Sequence, residues 1–291
     1  MFSCLHLFNM HTINTICICG AGTMGSGITQ VSAMAGMQTI QFDVNPAMLE
    51  KSRASIEKGL DLLFQKGRID TAVKEAVISR ILFTTDINHC IADLVIEAII
   101  ENKKAKTGLF TQLAAINTDE TIFATNTSSI SISDIANEIP GPARVIGMHF
   151  FNPAPVMKLV EVVRAKHTSD GVVKAITDLA RTMGKVPVVC KDAPGFIVNR
   201  VARPYYLEAM KLIEDGHADF ETVDTIMEAS GFKMGPFKLM DLIGLDINYS
   251  VSGIVWEALG KPERLKPSLI QAEKVEKGAL GRKTGSGFYN Y

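Results

Sequence analysis

Thr15-Ile16-Cys17-Ile18-Cys19-Gly20-Ala21-Gly22-Thr23-Met24-Gly25-Ser26-Gly27 is the stretch that decides the fold. A short β-leaning run, Thr15–Cys19, breaks into a run of glycines, and small apolar residues in a helical pattern follow through about Ala35. Gly20 permits a tight turn, Gly22 lets the backbone approach a pyrophosphate, and Gly25 lets the helix pack close to the strand. The helix start then offers unpaired N–H groups and the positive end of its dipole to phosphates. A GxGxxG alone says little, but here a strand precedes it and a helix follows it. A second strand, Gln38–Phe42, ends at Asp43, about 20 residues further on, where a carboxylate would bind the adenosine ribose hydroxyls. A glycine turn with an ordinary surface aspartate does not account for all three features. With no arginine beside Asp43, the reading is NAD rather than NADP, because a 2′-phosphate would face a negative charge.

Outward from this unit, strand and helix patterns alternate. Asn45 and Pro46 make an N-cap and N1 pair, and the helix they start carries apolar positions at Leu49, Ile56, Leu60, Leu63 and Phe64 and ends at Gly67. A shorter helix, about Asp70 to Ser79, brings the chain back from this excursion. Strands are expected at Ile81–Thr84, Leu94–Ile96 and Ile122–Ala124, with Glu97 and Glu101 after the second and a helix over about Lys103–Ile116. A helix over Asp170–Met183 and a strand over Val186–Cys190 follow. The alternation predicts a parallel, Rossmann-type doubly wound α/β sheet. From Ile197 onward the patterns are helical, over about Ile197–Asp215, Phe220–Ser230, Leu239–Ile243, Asp246–Leu259 and Pro267–Lys277. The domain reading is therefore residues 1–191 for a dinucleotide-binding domain and 192–291 for an all-helical one.

Composition narrows the function classes. The 291 residues are 47% hydrophobic and 21% charged, enough for a sizeable core, and the formal net charge is −1. Nothing in that balance points to nucleic acid or to a membrane surface, and no apolar run approaches the roughly 20 residues of a membrane helix. The five cysteines contain no CxxC pair. Cys17 and Cys19 alternate on a strand, so both point to one face as buried small hydrophobes, while Cys4, Cys90 and Cys190 are isolated. This is the usage of a reducing compartment with no metal site. Residues 1–10 lack the Lys/Arg region of a secretory signal and the arginines of a transit peptide. They read as a short appendage with Met10 as an alternative start, and the protein as cytoplasmic.

A second stretch carries chemistry. His149-Phe150-Phe151-Asn152-Pro153-Ala154-Pro155-Val156-Met157-Lys158-Leu159-Val160-Glu161-Val162-Val163-Arg164 places an imidazole at the end of one apolar run. Across a proline-stiffened turn, a carboxylate interrupts a second run. A charge inside a strand-like run is costly to bury without a partner, and His149 is the nearest one in sequence. A carboxylate bonded to one ring nitrogen fixes the tautomer and raises the basicity of the other. A core histidine and a solvent-facing glutamate would leave the same pattern, and these residues alone balance the two readings. Thr125-Asn126-Thr127-Ser128-Ser129 also follows a strand, where open α/β sheets bind ligands. Loop and capping chemistry accounts for that run equally well. Asn199 sits early in the first helix of the second domain, where a capping role is the default. The apolar stripe Val201, Leu207, Met210 and Ile213 is the kind that usually faces a core.

Taken together these residues match a known family. Gly20-Ala21-Gly22-Thr23-Met24-Gly25, Ala124-Thr125-Asn126-Thr127-Ser128-Ser129, His149-Phe150-Phe151-Asn152-Pro153 and Met157-Lys158-Leu159-Val160-Glu161 belong to it. So do Pro194-Gly195-Phe196-Ile197-Val198-Asn199-Arg200, Met234-Gly235-Pro236-Phe237 and Lys283-Thr284-Gly285-Ser286-Gly287-Phe288-Tyr289. As an ordered set spanning nearly the whole chain after Thr12, they resemble the L-3-hydroxyacyl-CoA dehydrogenases. The resemblance implies NAD as cofactor, an acyl-CoA substrate with 3-hydroxybutyryl-CoA foremost, a homodimer and a catalytic His149–Glu161 pair. It implies that Ser128 and Asn199 position the substrate hydroxyl and thioester. It further implies that Gly20, Ala21, Gly22, Thr23, Met24, Gly25, Asp43, Glu101, Lys106, Ser128, Asn152 and Lys283 meet the cofactor, and that Lys66 on the helical excursion meets coenzyme A. Gly59 stands where some members carry a serine that contacts coenzyme A, a departure that touches one polar contact and not the reaction.

Two rivals share the scaffold. A gulonate-type sugar-acid dehydrogenase resembles the same fold and His–Glu pair without coenzyme A, and Lys66 argues against it. Turnover of acetoacetyl-CoA against L-gulonate separates the two. A non-catalytic NAD-binding protein of the lens-crystallin kind would have no need of Ser128, His149, Glu161 and Asn199 together, and would oxidise no NADH with any acyl-CoA.

Overall fold

Eight strands form one sheet in the order β3-β2-β1-β4-β5-β6-β7-β8. They are β1 (Thr15–Cys19), β2 (Gln38–Phe42), β3 (Ile81–Thr84), β4 (Leu94–Glu97), β5 (Ile122–Thr125), β6 (Val145–Phe150), β7 (Leu159–Arg164) and β8 (Val186–Lys191). The computed structural model describes residues 12–291, so the appendage read from the sequence, with Cys4 and Met10, lies outside the described residues. Two compact units divide the chain, one ending at Asp192 and the other spanning Ala193–Tyr291.

In the first unit the sheet is covered by α1 (Thr23–Met34), α2 (Pro46–Gln65), α3 (Thr71–Ser79), α4 (Lys103–Ile116), α5 (Ile132–Ala136) and α6 (Asp170–Thr182). Asn45 accepts a hydrogen bond from the Ala47 N–H with Pro46 in the first turn, as the sequence predicts, and Asp70 caps α3 through the Val73 N–H. Every residue of β4, β5 and β6 is buried. Strands covered on both faces read as unbroken apolar runs rather than alternations. Ile16, Ile18, Leu94, Ile96, Ile146, Met148, Val160 and Val162 share a core with Ile28 and Val31 of α1 and Ile176 and Leu179 of α6. Cys17 and Cys19 are fully buried with their sulfurs 3.8 Å apart. The parallel expectation needs one correction. β6 pairs with β7 antiparallel, because the proline turn between them is too short for the crossover a parallel pair needs. The short α5 has no counterpart in the sequence reading, since five residues are too few to display a helical period.

The second unit contains α7 (Val198–Glu214), α8 (Phe220–Ala229), α9 (Pro236–Ile243), α10 (Leu245–Ala258) and α11 (Leu269–Glu276). α9 begins three residues before the expected Leu239, with Pro236 in its first turn. Phe220, Phe237 and Phe288 pack mutually at centroid distances of 4.8–5.0 Å. Two buried carboxylates tie the chain's closing segment to this core. Asp241 accepts from the N–H groups of Phe288 and Tyr289, both at 2.9 Å, and Asp224 accepts from the Tyr289 hydroxyl at 2.8 Å. A Cβ at Gly287 would lie 2.1 Å from an Asp241 oxygen, so that glycine is required by close approach. Isolated bridges of Ser286 with Gly281 and Asn290 are the extended pairing in this otherwise helical unit, among the described residues. No helix of the described residues is long and apolar enough to cross a membrane.

Candidate active site

The strand order reverses at β1, whose neighbours are β2 and β4. Open α/β sheets bind ligands at such a switch point, outside the carboxyl ends of the strands. Gly20 takes φ +107, and a Cβ there would sit 2.6 Å from the Ala98 carbonyl oxygen. A Cβ at Gly25 would fall 1.9 Å from the Gly20 carbonyl oxygen, so α1 starts directly against the loop. At Gly22 a Cβ would meet nothing within 4 Å, which leaves an open cradle over the loop. No side chain caps α1, and helix geometry leaves its first amides without intrahelical partners. Exposed Thr23 and half-buried Met24 open that helix, while Ala21 is buried. Asp43 reaches back to the loop: Oδ2 accepts from the Ala21 N–H at 2.8 Å and Oδ1 from the Asn45 N–H at 2.9 Å. An open, cationic-ended cradle with a carboxylate at its rim fits a dinucleotide.

After β4 and β5 the chain builds a charged knot. Lys106, on α4, is buried with its ammonium 2.6 Å from Glu97 Oε1 and 3.2 Å from Glu101 Oε2. Glu97 also accepts from the Ile99 N–H at 2.7 Å and the Thr125 hydroxyl at 2.6 Å. Burial pushes the Glu97 carboxyl up, against the opposing pull of Lys106. Burial acts the same way on Glu101, but Lys106 and the bonds from Thr127 and Ser129 outweigh it and hold its carboxyl below the usual range. Glu101 Oε1 accepts from the Thr127 hydroxyl, the Ser129 hydroxyl at 2.8 Å and the Ser128 N–H at 3.2 Å. The polar run is thereby pinned from beneath. Asn126 adds a bond to the next strand end, its Oδ1 accepting from the Phe150 N–H at 2.8 Å.

His149 stands on β6 directly opposite Glu161 on β7. Their Nδ1 and Oε2 atoms are 2.8 Å apart, in surroundings that leave the histidine 6% and the glutamate 1% exposed. The Phe151 ring tilts against the imidazole at 4.5 Å. A carboxylate is an acceptor only, so Nδ1 carries the proton and Nε2 is the basic nitrogen. A basic nitrogen, a pinned hydroxyl run and a dinucleotide cradle thus share the carboxyl edge of one sheet. That set suits proton transfer coupled to hydride transfer.

Comparison with known proteins names the family. Residues 15–193 match the model of the 3-hydroxyacyl-CoA dehydrogenase NAD binding domain, and residues 195–291 match that of the 3-hydroxyacyl-CoA dehydrogenase C-terminal domain. The chain belongs to the 3-hydroxyacyl-CoA dehydrogenase family. It is 44% identical to the 3-hydroxyadipyl-CoA dehydrogenase of Escherichia coli, over 97% of this chain but 60% of that longer protein. It is 42% identical to a probable 3-hydroxybutyryl-CoA dehydrogenase of Deinococcus radiodurans, covering 94% of this chain and 99% of the relative. Among solved structures, (S)-3-hydroxybutyryl-CoA dehydrogenase from Ralstonia eutropha superimposes with a TM-score of 0.92 at 38% identity, over 96% of this chain and 99% of that one.

Of the remaining expected residues, Asn152 follows the carboxyl end of β6 by two residues, Lys66 closes α2, and Asn199 and Lys283 belong to the other unit. Lys66 is exposed at the end of α2, and Asn152 is exposed in the turn after β6. A Cβ at Gly59 would press on Gln30 of α1 at 2.7 Å. In the helical unit, Asn199 lies in the first turn of α7 and its carbonyl accepts from Arg203 Nε at 3.1 Å. Lys283 pairs with both Asp246 oxygens at 2.6 and 2.7 Å. Sequence reading gave no role to Glu97, Asn126 or Lys185. Lys185 is buried with its ammonium on the carbonyls of Ala154 and Met157, the turn that joins His149 to Glu161. The sequence signal for Glu97 was a charge closing an otherwise apolar strand.

Proposed function

We propose that the chain interconverts (S)-3-hydroxyacyl-CoA and 3-ketoacyl-CoA with NAD, with 3-hydroxybutyryl-CoA among its substrates and His149 as the acid–base group. The observation that carries this reading is the His149–Glu161 contact of 2.8 Å at the strand edge that also holds the glycine loop. Bound at that loop, NAD would supply the hydride acceptor. His149 Nε2 takes the proton of the 3-hydroxyl as hydride leaves C3, and in reverse returns it to the alkoxide. Glu161 keeps Nδ1 protonated and offsets the imidazolium charge. A positioned base of this kind is typically worth about 10²–10⁴ in rate. Ser128 and Asn199 position the hydroxyl and the thioester, with Lys66 for coenzyme A. Asp43, Glu101, Asn152 and Lys283 serve the cofactor, and Lys106 acts there through Glu101, whose carboxylate it holds.

The helical unit exposes Val201, Ile226, Ile247 and Leu269, which supports the homodimer reading. Cys17, Cys19, Cys90 and Cys190 are free thiols, which supports the cytoplasm as compartment. The test is NADH oxidation with a 3-ketoacyl-CoA series from four carbons upward, on the wild type and on His149→Gln. The variant is expected to keep NADH affinity and lose most turnover. Near-normal turnover would remove His149 from the mechanism, and a wild type inert towards every thioester would remove the reaction.

A further inference from the structure

Gly184 and Lys185 close α6. Gly184 takes φ +70, its N–H donates to the Arg181 carbonyl at 2.9 Å, and the Lys185 N–H donates to the Ala180 carbonyl at 2.9 Å. In a cap of this kind the residue at the Lys185 place is frequently apolar and packs back on the helix. Here it is a lysine, 8% exposed, and burial draws its pKa below the usual lysine value. Among the described residues no carboxylate lies within ion-pair distance of its ammonium, whereas buried Lys106 has two. The ammonium donates instead to the Ala154 carbonyl and, at 2.9 Å, to the Met157 carbonyl. The next residue, Val186, donates its N–H to the Lys158 carbonyl at 2.8 Å. Residues 153–158 are thus held from one side at three carbonyls. From another side α1 lies against them: a Cβ at Gly27 would stand 3.0 Å from Pro155 Cδ and 3.1 Å from Ala154 Cβ.

We propose that Lys185 is a positioning residue for the acid–base pair: it takes up the slack of the β6–β7 connection and so keeps His149 on Glu161. This rests on the His149 reading above. Eight residues, 151–158, join the two strands. That is far more than the two-residue turn that sets a hairpin register by its own geometry. Phe150 and Val160 close the ladder at that end, and His149 with Glu161 is the next pair in. Looseness in the connection therefore reaches the catalytic pair after a single register step. An apolar side chain would fill the same space without burying a charge, but it has no donor for the two carbonyls. The ammonium adds a charge-assisted grip on two peptide groups three residues apart.

The test is a double-mutant cycle on the full chain: Lys185→Met, Glu161→Gln and the two combined, read by steady-state reduction of a 3-ketoacyl-CoA with NADH. Lys185→Met is expected to lower kcat by about tenfold or more, as misplacement of a catalytic group does. KM for the thioester and NADH affinity should stay within about twofold of the wild type, because the substitution touches neither ligand. Since Lys185 acts through the pair, its effect on kcat should shrink to about twofold in the Glu161→Gln background. An unchanged kcat overturns the inference. So does a loss of the same factor in both backgrounds, which is what a general structural defect would give. Hydrogen exchange on the wild type needs no variant to fold. The Val156 and Met157 N–H groups both donate to the Pro153 carbonyl and should be protected. Exchange there at the rate of an unstructured chain would show that nothing holds the turn, and overturns the inference too. A wild type inert towards every thioester defeats the reading beneath, whereas equal losses in an active enzyme defeat this inference alone.

Discussion

His149 and Glu161 face each other across the antiparallel β6–β7 pairing, Nδ1 to Oε2 at 2.8 Å, twelve residues apart in the chain. The register makes the pair: slipping it by one residue would put the two side chains on opposite faces of the sheet. Glu161→Gln keeps the size and a hydrogen bond but removes the charge that offsets the imidazolium. We expect kcat to fall by about 10²-fold or more, within the range a positioned base contributes, and the pH–rate profile to change with it. Steady-state kinetics from pH 5 to 9 checks this, and an unaltered kcat and profile would show that the two groups do not act together.

The glycine loop separates fold from binding. At Gly22 a Cβ meets no protein atom within 4 Å and φ is −72, so Gly22→Ala should fold with stability unchanged. The methyl would occupy the cradle instead, and NAD affinity should weaken by about tenfold or more, about 1.4 kcal/mol. At Gly25 the added Cβ lands 1.9 Å from the Gly20 carbonyl oxygen. Gly25→Ala should therefore lose affinity and also about 1–3 kcal/mol of stability, as overpacking does. Urea unfolding and NADH fluorescence titration on both variants decide it. Equal stability loss in the two would mean that the cradle at Gly22 is not open.

Much of this was legible because the signals are local. Gly20 to Gly25 and the capping pair Asn45–Pro46 depend on backbone geometry a few residues long, and their structure follows the reading closely. The β6–β7 contact was legible as two runs across a proline turn, although their antiparallel sense interrupts the parallel pattern of the sheet. What escaped was long-range. The resemblance offers Glu101 as a cofactor contact, but only the tertiary fold shows it holding Thr127 and Ser129 from 26 and 28 residues away. Nothing in the sequence of α7 marks Arg203 as buried, because the residues that enclose it, Asn248 and Ser252, come from α10. A polar residue's sequence carries its chemistry but not its burial.

Lys106 is the hinge of that long-range knot. Removing a buried partner leaves uncompensated charge, typically a loss of about 3–5 kcal/mol. Lys106→Met should lose stability on that scale at pH 7 because both Glu97 and Glu101 lose their ammonium. Without it, burial raises the Glu97 carboxyl further, so the folded variant binds protons more readily than the unfolded chain. Its stability then increases as pH falls. The gap from the wild type should narrow between pH 7 and pH 5 in urea titrations. A gap independent of pH would mean that the carboxylates find other partners.

Glu101 itself titrates the other way. Burial raises its carboxyl, but Lys106 and the Thr127 and Ser129 bonds bring it below the usual range on balance. A carboxyl depressed in the folded state contributes stability that is complete above its unfolded pKa of about 4.3 and is lost as pH falls through the lower folded value. Glu101→Gln removes that contribution. The melting temperature of the variant should therefore lie below that of the wild type from pH 6 to 7, and the difference should shrink as pH drops below about 4.3. The loop it holds carries Ser128, so KM for the acyl-CoA should rise in the same variant at pH 7. Differential scanning calorimetry across pH 3.5 to 7 checks the first expectation. A difference that grew on acidification would mean that the bonds to Thr127 and Ser129 do not favour the ionised carboxylate.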